Sequence, residues 1–189
     1  MCALRPAPVE ESVSGDVHCV FLRGVMPTGR NKVPMAELRK ALETEGFLGA
    51  RTYIQSGNTV VRSAKGVREV ETLVREAILK HIGPDLSVVV RSPEELRAIL
   101  ARNPFPEDAR DRTYFTLFAT LPDPAMMEAF LRTDFGGDRI RFDGNCLYTC
   151  YATRLSDSKF HNNVFEKKLK VAATTRNTNT MEAMISLGS

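Results

Sequence analysis

The chain has 189 residues, 43% hydrophobic and 26% charged, enough apolar material for a core without disulfides or a metal. Its net charge of +3 is too mild for a histone-like nucleic-acid binder. No run of about 20 apolar residues is present to cross a bilayer.

Residues 1–16 begin Met1-Cys2-Ala3-Leu4-Arg5-Pro6-Ala7-Pro8. They lack the apolar centre of a signal peptide, and their prolines and acids predict a disordered tail. Val17 to Gly24 reads as a first strand, followed by a loop and then a helix opened by Pro34, whose fixed φ suits that place. Met35, Leu38 and Leu42 recur at helical spacing, and Gly46 stops the helix. Arg51 to Val61 is a hairpin turning at Ser56-Gly57-Asn58. Val67, Val70, Val74, Ile78 and Ile82 mark a second amphipathic helix, closed by Gly83-Pro84, and Leu86 to Val90 is a buried strand. The order so far is β-α-β-β-α-β, the ferredoxin-like split unit.

Ser92-Pro93-Glu94-Glu95 has the form of a capping box, and the helix it opens ends before a linker at residues 103–106. Arg112 to Thr120 then reads as a strand, and Asp123 caps a helix through Met126, Met127, Phe130 and Leu131. A second hairpin, Arg139 to Tyr148, turns at Asp143-Gly144-Asn145 and repeats the first. A basic helix near 158–170 and a short helix from Asn179 complete the reading, so the second half carries helices where the first has its final strand. The fold class that follows is α+β: duplicated ferredoxin-like units with antiparallel sheets plus C-terminal helices. The units are 17–102 and 107–189.

Charge is uneven. Residues 154–176 hold six cations against Asp157 and Glu166, a net of +4, whereas residues 107–138 hold seven acids against three arginines, a net of −4. The C-terminal excess suits an anionic partner. Cys2, Cys19, Cys146 and Cys150 form no C-x-x-C pair and have no histidine at ligand spacing, which predicts reduced thiols, a cytoplasmic setting, and neither metal nor cofactor.

Five motifs together resemble the bacterial family catalogued as domain of unknown function 1697. They are Phe21-Leu22-Arg23-Gly24-Val25, Asn31 through Leu38, Arg51 through Asn58, Ser158-Lys159-Phe160, and Thr174 through Thr180. The resemblance runs over nearly everything from residue 17 onward. It implies the same duplicated α+β fold and no activity.

Three segments carry candidate binding chemistry. The loop from Gly24 to Pro34 joins a strand to a helix start, where backbone N–H groups attract anions, and Arg23, Arg30, Asn31 and Lys32 add donors. Gln55, Ser56 and Asn58 in the first turn are more polar than a turn requires, although Gly57 and Asn58 also serve its backbone geometry. Arg176 stands beside Thr174 and Thr175, a grouping suited to a phosphate or carboxylate, and Lys159 is a further cation. The same threonines and Asn177 would also cap the last helix.

Other chemistries find little footing. The three histidines have no identifiable orienting acid. The third strand, Asn58 to Ser63, offers no aromatic on which an RNA base could stack, leaving only backbone contact with nucleic acid. The residues therefore point to a binding module for a small anionic, phosphate-containing ligand or a nucleic-acid backbone. An enzyme acting on a phosphorylated metabolite, with an unnamed base, and an interaction scaffold without a small ligand are the alternatives. The oligomeric state is left open.

Overall fold

The computed structural model describes residues 15–189, so the expected N-terminal tail lies, up to residue 14, outside the described residues. The first half runs β1 (Asp16–Leu22), α1 (Met35–Thr44), β2 (Leu48–Tyr53), β3 (Asn58–Ser63), α2 (Val67–His81) and β4 (Val88–Arg91). A connecting helix α3 (Pro93–Ala101) leads to β5 (Thr113–Phe118), α4 (Pro124–Leu131), β6 (Arg139–Asp143), β7 (Cys146–Cys150), α5 (Asn162–Leu169), β8 (Ala173–Asn177) and α6 (Thr178–Leu187). The protein is a mixed α+β structure with two antiparallel four-stranded sheets, ordered β2-β3-β1-β4 and β6-β7-β5-β8.

The local devices are those the chemistry requires. Ser92 and Glu95 form a reciprocal capping box at α3, Asp123 accepts from the Met126 N–H at α4, and Asn177 accepts from the Thr180 N–H at α6. Both hairpins turn through a left-handed glycine, Gly57 at φ 77° and Gly144 at φ 61°.

One expectation fails. Residues 173–177 form a strand, β8, where the second half was expected to carry helices in place of the first half's final strand, so each sheet has its fourth strand. Lys170 takes a left-handed conformation (φ 57°) that stops α5 and turns the chain back to the sheet. There Ala173 and Thr174 are buried against β5. The basic helix is also shorter than expected, starting at Asn162. Ser158 lies outside it and donates to an Asp138 carboxylate oxygen at 2.5 Å.

Alternation along the strands sends side chains to two faces of each sheet. In β1, Val20 and Leu22 face α1 and α2, packing on Leu38, Leu42, Val74 and Ile78. Cys19 and Phe21 face the other way, into a core shared with Phe115, Leu117 and Tyr148 of the second sheet and with Leu96 and Met181 of α3 and α6. The outer face of the second sheet meets α4 and α5 through Phe118, Ile140, Phe130 and Phe165. The central core thus draws on both halves. No described helix is long and apolar enough to cross a membrane.

Candidate functional site

The two sheets are tied by a reciprocal pair of arginines. Cys19 is registered against both Val60 and Arg91, and Phe115 against both Tyr148 and Arg176, so the two arginines hold matching places in their sheets. Each sits in the last strand of its half and faces the other sheet. Arg91 donates from Nη2 to the carbonyl of Phe118, the last residue of β5, at 2.5 Å. Arg176 donates from Nη2 to the carbonyl of Leu22, the last residue of β1, at 2.8 Å.

The two differ in how well they are satisfied. Arg176 also donates from Nε to Asn58 Oδ1 (2.7 Å), from Nη1 to Thr174 Oγ1 (2.6 Å) and the Thr175 carbonyl (2.9 Å), and from Nη2 to the Ser56 carbonyl (3.3 Å). That uses the full set of guanidinium donors, and its Cζ lies 5.8 Å from the Phe21 ring centre. Asn58 and Cys146 open β3 and β7, registered against Phe21 and Leu117. Where Asn58 serves Arg176, Cys146 offers Arg91 no such acceptor, and Arg91 Nε is buried without a partner.

Every acceptor of Arg176 is neutral. No carboxylate among the described residues lies within 4.0 Å of it. Burial first, and then the nearby charge of Arg23, pushes its pKa down to about 10. The site therefore holds a cation whose charge is uncompensated.

That cation forms part of the wall of a pocket of about 320 Å³ between the halves. The other lining groups include Arg23, Ser56, Thr174, Thr175, His161 and Asn162, with Leu22, Val25, Met26 and Leu155 as the apolar share. Arg23 donates from Nε and Nη2 to Glu166 Oε2 at 3.0 and 2.7 Å, and from Nη2 to Asn163 Oδ1. The other carboxylate oxygen, Glu166 Oε1, accepts the Ala173 N–H at 2.9 Å. Glu166 is thus anchored on both sides.

The matching corner on the other side draws its second cation from α2 instead of from the strand end. Backbone bonds from Arg23 N–H to Ser87 O and from Ala119 N–H to Ala172 O, both 2.9 Å, show that Ala119 stands where Arg23 does. The arginine clasp is present at both corners. At the second corner the further cation is Arg68 of α2, which donates to the Ala119 carbonyl (2.6 Å) and to Glu71 Oε2 (3.0 Å), while Glu71 Oε1 accepts the Val90 N–H (3.2 Å).

The sequence-derived candidates divide accordingly. Arg23, Ser56 and Arg176 line the pocket, and Asn58 stands behind it as the Arg176 acceptor. Asn31 donates to the Gly24 carbonyl (3.2 Å) and Gln55 to the Val33 carbonyl (3.1 Å), so both brace the 24–34 loop rather than line the pocket. Arg30 and Lys32 are exposed on that loop and do not line it. Lys159 lies beside a separate cleft with Phe135 and Asp138. The sequence reading missed His161 and Asn162, and their only signal was their place at the start of a helix. Among the described residues no cluster of His, Cys, Asp or Glu could hold a metal ion.

Over residues 16–148 the chain matches the family described as Protein of unknown function (DUF1697). Among solved structures it is similar to conserved bacterial protein SP0830 from Streptococcus pneumoniae. The TM-score is 0.69 and the identity 22%, over 93% of this chain and 100% of that one. At this identity the likeness shows the fold alone. No curated protein matches the chain at a significant level.

Proposed function

The chain belongs to the family Protein of unknown function (DUF1697), which supplies no reaction to inherit, and we propose from its geometry that it is a binding module for a small anionic ligand. The site is the pocket between the halves, with Arg23 as the direct contact and Arg176 as the charge behind it. One observation carries the reading: a half-buried guanidinium without a carboxylate partner among the described residues stands in the wall of an open pocket. A charge buried in this way is costly, and an anion placed beside it offsets the cost.

We read the two halves as one β-α-β-β-α-β unit of the ferredoxin-like kind used twice. The identical strand orders and the matching registers of Arg91 and Arg176 support this. The free thiols of Cys19, Cys146 and Cys150 fit a cytoplasmic setting. A second reading, turnover of a phosphorylated metabolite, draws on His161, which lies exposed in the same wall and is an imidazole able to move a proton.

Thermal-shift and calorimetric titration with inorganic phosphate, nucleoside monophosphates, sugar phosphates and simple carboxylates tests the binding role. The expected result is stabilisation by at least one class, lost in Arg23→Gln at an unchanged far-UV spectrum. No response to any anion would overturn it. Product formation from a bound phosphomonoester, abolished by His161→Ala, would move the assignment to the enzyme.

A further inference from the structure

Resting on the anion-binding reading of this pocket, we infer that its ligand is a singly charged oxyanion carrying an apolar body, not a doubly charged phosphomonoester. The charges around the cavity decide the valence. Arg23 and Arg176 bring two positive charges and Glu166 one negative charge. Glu166 cannot swing away, because one of its oxygens is held by the Ala173 N–H at 2.9 Å while the other takes Arg23 at 2.7 Å. The wall therefore has one positive charge to spare. A first negative charge meets it, and a second would sit beside a fixed carboxylate with no cation left to balance it.

Hydrogen bonding points the same way. The donors of Arg176 are all spent on neutral oxygens, so it supplies charge but no hydrogen bond. Arg23 Nη1 makes no hydrogen bond to the described residues and is the guanidinium donor left to the ligand. One open arm suits a single carboxylate or diester oxygen better than the three oxygens of a terminal phosphate.

The rest of the lining decides the body. Leu22, Val25, Met26 and Leu155 bound the cavity, and Met26 stands 54% exposed at its edge. An exposed unbranched thioether beside a charged pocket is a surface that adapts to an aliphatic or ring-bearing substituent. A carboxylate and a phosphodiester share the inferred chemistry, and the test separates them.

The experiment titrates the full chain with acetate, butyrate and hexanoate, with dibutyl phosphate, and with hexyl phosphate, at pH 8 and at pH 6. Hexanoate is expected to bind more tightly than acetate, by about fourfold per added methylene that is buried. Hexyl phosphate at pH 8 is expected to bind at least tenfold more weakly than hexanoate or dibutyl phosphate. As its second proton returns near pH 6, its affinity is expected to rise relative to hexanoate, which serves as the control for any titration of His161. Glu166→Gln keeps an acceptor for the Ala173 N–H and removes the negative charge, so it is expected to raise hexyl phosphate affinity at pH 8 at least tenfold while moving hexanoate much less. Tighter binding of hexanoate or of dibutyl phosphate names the source, and either one supports the inference. Hexyl phosphate matching or exceeding both at pH 8, or an unchanged preference in Glu166→Gln, overturns the inference and leaves the anion-binding role intact. Failure of every anion to bind overturns both.

Discussion

Arg176 Nη2 lies 2.8 Å from the carbonyl oxygen of Leu22, so the last strand of the chain closes on the end of the first. Replacing Arg176 with Met would leave the Leu22 and Ser56 carbonyls and Asn58 Oδ1 without their donor. The expected loss is about 2–4 kcal/mol of unfolding free energy, more than is regained by removing an unpaired charge. Arg176→Lys keeps the charge but offers fewer donors in the wrong geometry, with an expected loss of about 1–3 kcal/mol. Urea denaturation measures both, and a Met variant as stable as the parent would contradict the clasp.

The two hairpin glycines separate backbone strain from crowding. At Gly57 a Cβ would fall 2.7 Å from Val25 Cγ2 and 2.8 Å from Leu22 Cβ, on top of a φ of 77°. Gly57→Ala is expected to cost roughly 2–4 kcal/mol. At Gly144 the nearest atom is the mobile tip of Arg102, 3.3 Å away. There the left-handed φ alone remains, and Gly144→Ala is expected to cost about 1 kcal/mol. Equal losses in thermal or urea unfolding would refute the difference.

His18 is 4% exposed on β1, and neither of its ring nitrogens has a hydrogen-bond partner in the structure. A buried polar ring without partners is destabilising, so His18→Leu is expected to raise stability by roughly 1–2 kcal/mol. A drop of that size instead would show that the imidazole has a partner in solution.

The thiols of Cys19 and Cys146 are held in their neutral form by burial, which pushes Cys19 up to about 12 and Cys146 further. Cys150 is buried as well. Because the thiolate is the nucleophile, brief alkylation of the native protein at pH 8 followed by peptide mapping is expected to leave all three unmodified. In urea all three are expected to react. Labelling of Cys146 in the native state would mean that β7 opens.

Much of this architecture was legible in the sequence, where geometry is set by neighbours along the chain. The Ser56-Gly57-Asn58 and Asp143-Gly144-Asn145 turns, the Ser92–Glu95 capping box and the apolar spacing of α1 and α2 are all of that kind. β8 was not legible. Thr174-Thr175-Arg176-Asn177 has the composition of a helix cap, and Asn177 does cap α6. What makes the segment a strand is β5, 59 residues away in the chain by register with Thr116 against Thr175. The site shows the same division. The sequence grouped Arg30 and Lys32 with Arg23 and, through the expected leaning of the two halves, with Arg176; the pocket keeps Arg23 and Arg176 and leaves the two loop cations outside. No spacing rule reports which face of an edge strand will meet a second sheet.

The crossed arginines also set how this molecule can be divided. Each guanidinium and its carbonyl stand on opposite sides of the connector at 103–106. A fragment ending there carries Arg91 without Phe118, and Leu22 without Arg176. Neither piece is complete alone, but a mixture of the two, or a neighbouring copy that lends its own C-terminal half, restores every bond. Fragment complementation and swapped dimers are therefore the natural failure modes of this chain, and a shortened connector is the change that would bring them out.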